Sequence, residues 1–390
     1  MNCLKPVGDV AQRKRFTAAL SLLPISEHTH LKEINIMKEF GSWFFAAIFF
    51  LGVAGCASSL QRDNNIISFS TADFHHLVSV TRNDSIFLGS PNHVYFINND
   101  IWMIDKYDNY QLSIINKEES KRVAPKGQGP NEFLNIYNIT YNSAENSICV
   151  YDDAASSCIF YRADSLKDLT DINYIGQVKF RDIRTNTVIP YRDHFITNGC
   201  FKGKCFAVID SVSIKNAFGD YPGEKSDIED EESYFLKNQT IITTSPKQNY
   251  FVAGGVYNDW LVFYETNGLS FKKTNEYHSY DSKLDCHTEK DGEYTYYTTT
   301  ETPQTIRAYR DFCASENYLY ALYWGLSKEM LDEGERCCYI LKFDWKGNIL
   351  DGFKSDILLK TFCVNNAGNR IYAITYPQNE ESKYVEFVIQ

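Results

Sequence analysis

The sequence predicts an all-β fold, a six-bladed β-propeller whose ring is closed by an N-terminal strand. Tyr and Phe are abundant, at 27 and 26 residues, and aromatic residues favour strands. No helical stripe of apolar residues continues for more than about two turns. A short strand-like pattern recurs along the chain, as it does in repeat architectures. Together these observations indicate a radial array of small antiparallel sheets.

The recurring pattern is a turn residue, usually Asn, followed by an alternating apolar stretch. Its first two steps are 47 and 46 residues long. The later steps are longer, which predicts insertions after the third copy. The third copy is the weakest match. The six copies begin at Asn99, Asn146, Arg192, Asn258, Asn317 and Asn369.

Each copy is followed by a second strand-like run, and shorter runs precede the copies. Six units of three or four antiparallel strands, each of about 50 residues, match a six-bladed propeller. Roughly 320 residues form too many strands for the two sheets of one β-sandwich. The runs that follow the copies are Gln111–Ile115, Cys158–Arg162, Cys205–Asp210, Leu269–Thr274, Cys338–Phe343 and Tyr384–Ile389.

The closure of the ring follows from the position of the last copy. Its third strand ends at the C-terminus, so the outer strand of this blade must come from elsewhere. We expect Ile66–Phe69 or Leu77–Val80 to supply it, which would remove an exposed sheet edge. The predicted propeller comprises residues 66–390.

Residues 37–56 have the parts of a secretory signal. A weakly basic start precedes the mostly apolar Phe40–Leu51, and small residues then lead to Cys56. The apolar run is shorter than the roughly 20 residues of a membrane-spanning helix, so a cleaved signal is favoured over an uncleaved anchor. Residues 53–56 resemble the lipobox of bacterial lipoproteins. This resemblance implies cleavage before Cys56 and a lipid anchor on its sulfur, with more than one acyl chain, palmitate among them.

The segments on either side of the signal have separate interpretations. Residues 1–36 would make the region before the apolar run unusually long, so we interpret them as a start assigned too far upstream. Residues 57–65 are polar and predict a tether. In the Gram-negative lipoproteins that the lipobox resembles, Asp after the cysteine holds the protein at the inner membrane. Ala57 stands there instead, so the resemblance implies the outer membrane, facing either the periplasm or the surface.

The charge balance excludes one class of partner. The chain has 39 basic and 50 acidic residues and a net charge of −11, and residues 57–390 alone have a net charge of −13. An acidic surface disfavours nucleic acid and electrostatic binding to anionic lipid. The membrane would therefore be reached through the lipid anchor.

Nine of the eleven cysteines lie after residue 56. Cys149 and Cys158 flank one predicted turn, and Cys200 and Cys205 flank another, so each pair is either a disulfide or two buried thiols. Buried thiols are favoured because the spacings match no known disulfide pattern. No spacing of Cys and His indicates a zinc site.

A glycine-rich turn with the sequence KGQGPNEF lies between the first and second copies. In a propeller it would connect the outer strand of one blade to the inner strand of the next, near the mouth of the central channel. No helix with Lys-Ser/Thr follows, so it is not a P-loop. The pattern resembles the motif that ends the first blade of TolB-like six-bladed propeller lipoproteins of Gram-negative bacteria. Its matching residues are Gly127, Gly129, Pro130, Glu132 and Phe133.

This resemblance implies a fold and an address in the envelope, and the family's biochemical role is largely unassigned. Glu132 either binds a ligand or cation in the channel or accepts backbone N–H bonds within the turn, and the second role is favoured. The acidic segment Ser226–Ser233 lacks the spacing of a calcium loop, which favours a solvated loop. Trp260, Trp324 or Tyr323 at a channel mouth would stack on sugar rings, but core packing is favoured for each.

No catalytic motif, cofactor motif or metal-ligand spacing is recognised in the sequence. We therefore expect a lipid-anchored propeller that binds a partner protein or an envelope ligand, such as a glycan, through one face of the ring. The alternative is a propeller-type lyase or hydrolase acting on glycans or small esters. Converging His, Asp and Glu side chains in the channel would favour the enzyme, and an apolar or aromatic patch on the rim would favour the partner.

Overall fold

The computed structural model describes residues 74–389, apart from residues 83–85, 117–119, 165–173, 182, 184, 224–229, 293 and 377–380. Within them the chain is almost entirely strand, and its short helices include α1 (Glu231–Lys237) and α2 (Lys328–Glu333). The predictions that lie outside the described residues are the upstream segment 1–36, the signal 37–56 with Cys56, the tether 57–65 and the strand Ile66–Phe69.

Antiparallel four-stranded sheets form the blades, after an N-terminal β1 (His75–His76) and β2 (Ser79–Arg82). Blade 1 contains β3 (Pro91–Ile97), β4 (Asp100–Tyr107), β5 (Tyr110–Ile115) and β6 (Ser120–Pro125). Blade 2 contains β7 (Ile136–Asn142), β8 (Ser147–Asp152), β9 (Ser157–Arg162) and β10 (Tyr174–Lys179). Blade 3 contains β11 (Val188–Tyr191), β12 (His194–Phe201), β13 (Lys204–Ile209) and β14 (Ile214–Phe218).

The second half of the chain repeats this arrangement. Blade 4 contains β15 (Thr240–Thr244), β16 (Tyr250–Gly255), β17 (Leu261–Asn267) and β18 (Ser270–Tyr277). A separate hairpin follows, made of β19 (Leu284–Asp291) and β20 (Tyr294–Glu301). Blade 5 contains β21 (Ile306–Ala314), β22 (Tyr318–Ser327), β23 (Cys338–Asp344) and β24 (Ile349–Ser355). Blade 6 contains β25 (Leu359–Val364), β26 (Arg370–Thr375) and β27 (Tyr384–Val388), and β2 completes it.

The first strands of the blades form a closed ring. Each contacts the first strand of the blade on either side, in the order β3, β7, β11, β15, β21, β25 and back to β3. These strands therefore line a central channel, as in a propeller. The predicted six-bladed propeller is confirmed.

The second strand of a blade is buried on both faces because each blade is stacked between two others. In β4, Trp102, Met103 and Ile104 are at most 1% exposed, and every residue of β8 is buried. Trp102 of blade 1 and Ile148 of blade 2 share one apolar cluster. The core thus lies between blades, so β4 and β8 are buried on both faces and do not show the alternating burial that the sequence pattern predicts.

The N-terminal segment closes the ring. β2 pairs antiparallel with β27, with Ser79 opposite Phe387, and supplies the outer strand of blade 6. Closure by an N-terminal strand is confirmed, and the predicted segment Leu77–Val80 overlaps this strand. β1 pairs parallel with β24 at the outer edge of blade 5, where Phe74 and Leu77 are buried. The N-terminal segment therefore pairs with the outer edges of blades 5 and 6 before blade 1 begins.

The assignment of the fourth copy, at Asn258, is wrong. That copy precedes β17, the third strand of blade 4, whereas the second strand, β16, follows Asn249. β16 ends in two glycines, which shortens its apolar pattern. A Cβ on Gly254 would lie 2.6 Å from Cζ of Phe312 on β21. Because blade 5 packs so close to β16, glycine stands where the sequence pattern requires an apolar residue, and the pattern is not recognised.

The last residue of each of the first three copies is a buried hydrogen-bond acceptor. Each side-chain oxygen accepts the backbone N–H of a residue in the segment that enters its own blade. This bond ties the start of the first strand to the end of the second. The pairs are Asp105 with Gly89 (2.9 Å), Asp152 with Leu134 (2.6 Å) and Asn198 with Thr187 (2.9 Å).

Several insertions emerge at one end of the ring, which we call the insertion face. Strands alternate in direction within a blade, so loops that enter first strands and loops that follow second strands lie at the same end. This end carries α1 between blades 3 and 4, the β19–β20 hairpin between blades 4 and 5, and α2 between β22 and β23. The glycine-rich turn between β6 and β7 lies there as well. The insertions predicted after the third copy are confirmed.

Buried cysteines behave as core residues. Cys149 and Cys158 pack in one apolar cluster as free thiols, and Cys205 is also a free, fully buried thiol. Burial raises the pKa of Cys338 to about 12, which keeps that group protonated at neutral pH. The buried-thiol interpretation holds for these residues.

Candidate functional site

The glycine-rich turn is closed by hydrogen bonds between its two ends. The N–H of Gly127 donates to the carbonyl of Phe133 at 3.1 Å, and the N–H of Phe133 donates to the carbonyl of Pro125 at 3.0 Å. The carboxylate of Glu132 accepts the N–H of Gly129 at 2.7 Å. This contact is the one expected of Glu132 in a structural role within the turn.

The two glycines leave room for that carboxylate. A Cβ on Gly127 would lie 1.9 Å from Oε2 of Glu132, and one on Gly129 would lie 3.0 Å from it. Phe133 is 1% exposed, and its ring centroid is 6.0 Å from that of Tyr161 in blade 2. The motif therefore specifies one turn that a carboxylate closes and an aromatic ring anchors to the next blade.

The turn is also fixed to blade 1. Pro130 is exposed at its tip. The N–H of Lys126 donates to the carbonyl of Asn109 at 2.6 Å, in the turn between β4 and β5. The buried side chain of Gln111 accepts the N–H of Ile136 at 2.9 Å, at the start of blade 2. The turn is thus held between two blades on the insertion face.

An exposed aromatic patch lies beside the turn, and its residues Phe87, Tyr107, Tyr110 and Arg122 are called the blade 1 patch. The three aromatic residues are 58%, 37% and 39% exposed, in that order. The ring of Phe87 meets that of Tyr107 edge-on at 4.8 Å. The guanidinium of Arg122 lies 4.5 Å from the Tyr107 centroid, donates to the Phe87 carbonyl at 3.0 Å and pairs with the buried Asp105 at 3.2 Å. These contacts hold the patch in one geometry.

Basic side chains gather where the channel opens on the insertion face. Arg307 is the second residue of β21 and Arg310 the fifth of its nine, and Lys360 is the second residue of β25 in the next blade. Arg307 forms a forked pair with Glu301, with N–O distances of 3.0 and 2.9 Å. It also donates to the hydroxyl of Tyr376 at 3.3 Å. Forked pairing of this kind holds a guanidinium in one orientation.

One histidine lies near a carboxylate on the first strands. Nδ1 of His93 is 3.7 Å from Oδ1 of Asp311. The other oxygen of Asp311 accepts the hydroxyl of Thr361 and the N–H of Phe362, the latter at 3.2 Å. These contacts join the first strands of blades 5, 6 and 1. In the part of the chain that the structure describes, no group of three or more His, Cys, Asp and Glu is arranged to hold a metal ion.

The aromatic residues considered for sugar stacking are buried. Trp260, Trp324 and Tyr323 are at most 3% exposed. Nε1 of Trp324 donates to the carbonyl of Leu359 at 2.8 Å, and Nε1 of Trp260 donates to Glu276 at 2.7 Å. Their contacts are those of core residues.

The acidic segment Ser226–Ser233 differs from the predicted loop. Residues 224–229 lie outside the described residues, but Asp230 is the N-cap of α1. Its carboxylate accepts the N–H groups of Glu232 and Ser233 at 3.0 and 2.9 Å. The backbone bond from Ser233 lowers the pKa of Asp230. The end of the segment begins a helix because Asp satisfies free N–H groups at an N-terminus.

A family described as "TolB-like 6-blade propeller-like" matches residues 70–367 of this sequence. The chain belongs to this family. No protein with a curated description matches this TolB-like propeller.

Among the helices that the structure describes, none is both long and apolar enough to cross a membrane.

Three solved structures resemble the TolB-like propeller at low identity. A putative exported protein from Bacteroides fragilis is 15% identical, with 80% of this chain and 94% of that chain covered and a TM-score of 0.45. A member of the DUF4221 family from Bacteroides vulgatus is 12% identical, with 81% and 98% covered and a TM-score of 0.49. The Cps50 (Swd1) propeller domain of Myceliophteria thermophila is 8% identical, with 80% and 100% covered and a TM-score of 0.46. No functional inference follows from these values.

Sequence reasoning missed both the blade 1 patch and the basic channel mouth. One feature of the sequence could have indicated the blade 1 patch. Two large aromatic residues, Tyr107 and Tyr110, flank a tight turn, a position where polar residues are common. Arg310 and Lys360 are 50 residues apart in the sequence. Only the packing of blade 5 against blade 6 brings them together.

Proposed function

We propose that this protein is an exported propeller, lipid-anchored to the bacterial outer membrane, that binds a partner protein of the envelope through its insertion face. The blade 1 patch carries the proposal. Aromatic residues and Arg dominate the binding energy of protein interfaces, and here they stand exposed beside the family's own motif turn. The signal at residues 37–56 and the cysteine at its end, Cys56, support the address.

The patch is suited to binding because it is already ordered. Tyr and Phe present large rigid surfaces, and Arg122 is fixed by its contacts with Tyr107, the Phe87 carbonyl and Asp105. An ordered surface loses less side-chain entropy when a partner docks. The close approach of residue 89 to Tyr107 requires glycine, since a Cβ on Gly89 would lie 2.5 Å from Cβ of Tyr107.

The proposed anchor point is separated from the propeller by a short stretch of sequence. Cys56 precedes Phe74, the first described residue, by 18 positions, a segment that spans at most about 60 Å when extended. Phe74 lies at the outer edge of blade 5, away from blade 1.

The test is affinity capture from gently solubilised membranes with a tag after Gln390. The wild-type protein is compared with Cys56→Ala, with the patch variant Phe87→Ser/Tyr110→Ser, and with Tyr174→Ser as a matched control. Tyr174 is 54% exposed on the outer strand of blade 2, close to the 58% of Phe87.

We expect a partner in near-equal amount with the wild-type and control proteins, and loss of that partner with the patch variant and with Cys56→Ala. Retention of the partner by the patch variant would exclude the patch as the docking site. Recovery of the wild-type protein alone would refute partner binding.

A further inference from the structure

Two positive charges at the channel mouth have no carboxylate of their own among the described residues. Arg307 is neutralised by its forked pair with Glu301. Arg310 and Lys360 form no such ion pair with any residue that the structure describes. Glu301 acts on Arg310 and Asp105 acts on Lys360 at longer range, but these carboxylates are already paired with Arg307 and Arg122. The channel mouth therefore holds two uncompensated cations in a protein whose net charge is −11.

Arg310 is placed by an irregularity in the sheet. Tyr309 lies opposite Tyr323 and Asp311 lies opposite Leu322, so Arg310 is the extra residue of a β-bulge. Bulges redirect side chains and are common next to functional sites. The guanidinium lies 4.8 Å from the ring centroid of Trp324. Its Nε is fully buried and has no acceptor among the described residues.

Lys360 is placed in the same way on the neighbouring blade. Leu359 lies opposite Thr375 and Thr361 lies opposite Ile374, so Lys360 is the extra residue of a second bulge. Its Nζ donates to the carbonyl of Pro91 at 2.6 Å, which leaves two of its three N–H groups for other acceptors. The first strands of blades 5 and 6 thus each carry a cation as the extra residue of a bulge.

A neighbouring positive charge acts on each of these two cations. Burial, and then the charge of Arg310, lower the pKa of Lys360. Burial, and then the charge of Arg307, lower the pKa of Arg310. Partly buried like charges are unfavourable unless an opposite charge joins them. The arrangement therefore lowers the stability of the empty site and favours an anion.

We propose that Arg310 and Lys360 bind the oxyanion of a small ligand, a carboxylate, phosphate or sulfate group, at the insertion-face mouth of the channel. A guanidinium stacked on an aromatic ring keeps its N–H edge free for a forked contact with such a group. Lys360 adds a second donor, and the Arg307–Glu301 pair forms a neutral wall. This site is separate from the blade 1 patch, so either can exist without the other.

The test is calorimetric titration of the purified protein at low ionic strength with inorganic phosphate, sulfate and glucuronate, with glucose as the neutral control. These arms distinguish an inorganic anion from a sugar acid. The variants are Arg310→Gln, which removes the charge, and Arg310→Lys, which keeps it without the fork. Arg192→Gln is the matched control, because Arg192 also lies over a tyrosine ring, at 5.4 Å from the centroid of Tyr191, in the β11–β12 turn at the opposite end of the ring.

We expect at least one anion to bind and glucose not to bind. Affinity for that anion should fall tenfold or more in Arg310→Gln, fall less in Arg310→Lys and be unchanged in Arg192→Gln. The melting temperature of Arg310→Gln without added anion should be equal to or above that of the wild type, because an unpaired charge is removed. Absence of binding by all three anions, or equal affinity in Arg310→Gln, would overturn the proposal. A lower melting temperature without anion would also overturn it, because it would show that the stacking on Trp324 stabilises the fold.

Discussion

The motif turn offers a prediction whose sign depends on the background in which it is tested. In the wild type, a Cβ at position 127 would lie 1.9 Å from Oε2 of Glu132, whereas ordinary contact begins near 3.4 Å. Gly127→Ala must therefore move the carboxylate by roughly 1.5 Å, by difference of these distances. That displacement breaks the 2.7 Å bond from the N–H of Gly129.

The expected cost follows from the lost bond. A hydrogen bond to a charged group contributes about 1.5–3 kcal/mol when buried, and the exposure of this loop reduces that to about 1–2 kcal/mol. Unfolding entropy of about 2.1 cal/mol/K per residue over roughly 320 residues converts 1 kcal/mol into about 1.5 °C. Gly127→Ala should thus lower the melting temperature by about 1.5–3 °C.

The decisive comparison uses Glu132→Ala. In that background the carboxylate is absent, so the added methyl group of Gly127→Ala clashes with nothing there. The free energy of unfolding should then rise by about 0.5 kcal/mol, because alanine makes the unfolded chain less flexible. Gly176→Ala, whose Cβ would meet no atom within 4 Å, is the control and should be neutral or slightly stabilising. The assay is thermal unfolding of the four variants and the wild type followed by circular dichroism. An equal cost of Gly127→Ala with and without Glu132 would refute the reasoning.

Two further predictions concern stability. Phe74→Ala should lower the free energy of unfolding by about 3 kcal/mol, because the centroid of its ring lies 5.1 Å from that of Tyr339. The assay is denaturant unfolding, with Val78→Ala, at a position 75% exposed, as the control. Equal unfolding midpoints for the two variants would show that the N-terminal segment does not stabilise the ring. The pKa of Asp230 is lowered in the folded state, so its contribution is present above the unfolded pKa of about 3.9 and is lost as pH falls through the folded value. Asn also caps a helix, so Asp230→Asn should keep α1 capped at pH 7. Between about pH 5 and 3 the melting temperature of Asp230→Asn should fall less than that of the wild type. Melting temperatures that fall equally with pH in the two proteins would contradict this prediction.

The class of fold and the closure of the ring could be predicted from the amino-acid sequence alone. Strand-forming residues recurred in six copies, and a last unit with one strand too few required an N-terminal strand. The Gly127–Phe133 motif was also readable, because its residue types follow from a local turn. These features depend on neighbours along the chain or on a pattern that recurs in the sequence, and a sequence records both directly.

Which strand within a blade each apolar run forms could not be predicted in this way, because it depends on packing between blades. The second and third strands are both covered on two faces, so their patterns are alike, and Asn258 was assigned to the wrong one. Only packing revealed that Asp105, Asp152 and Asn198 fasten each blade to its entering segment. The bulges that present Arg310 and Lys360 leave no mark in hydrophobicity, since a bulge is a mismatch between two strands. Sites built from several blades depend on such mismatches and on the closing of the ring, and neither is a property of a local stretch of sequence.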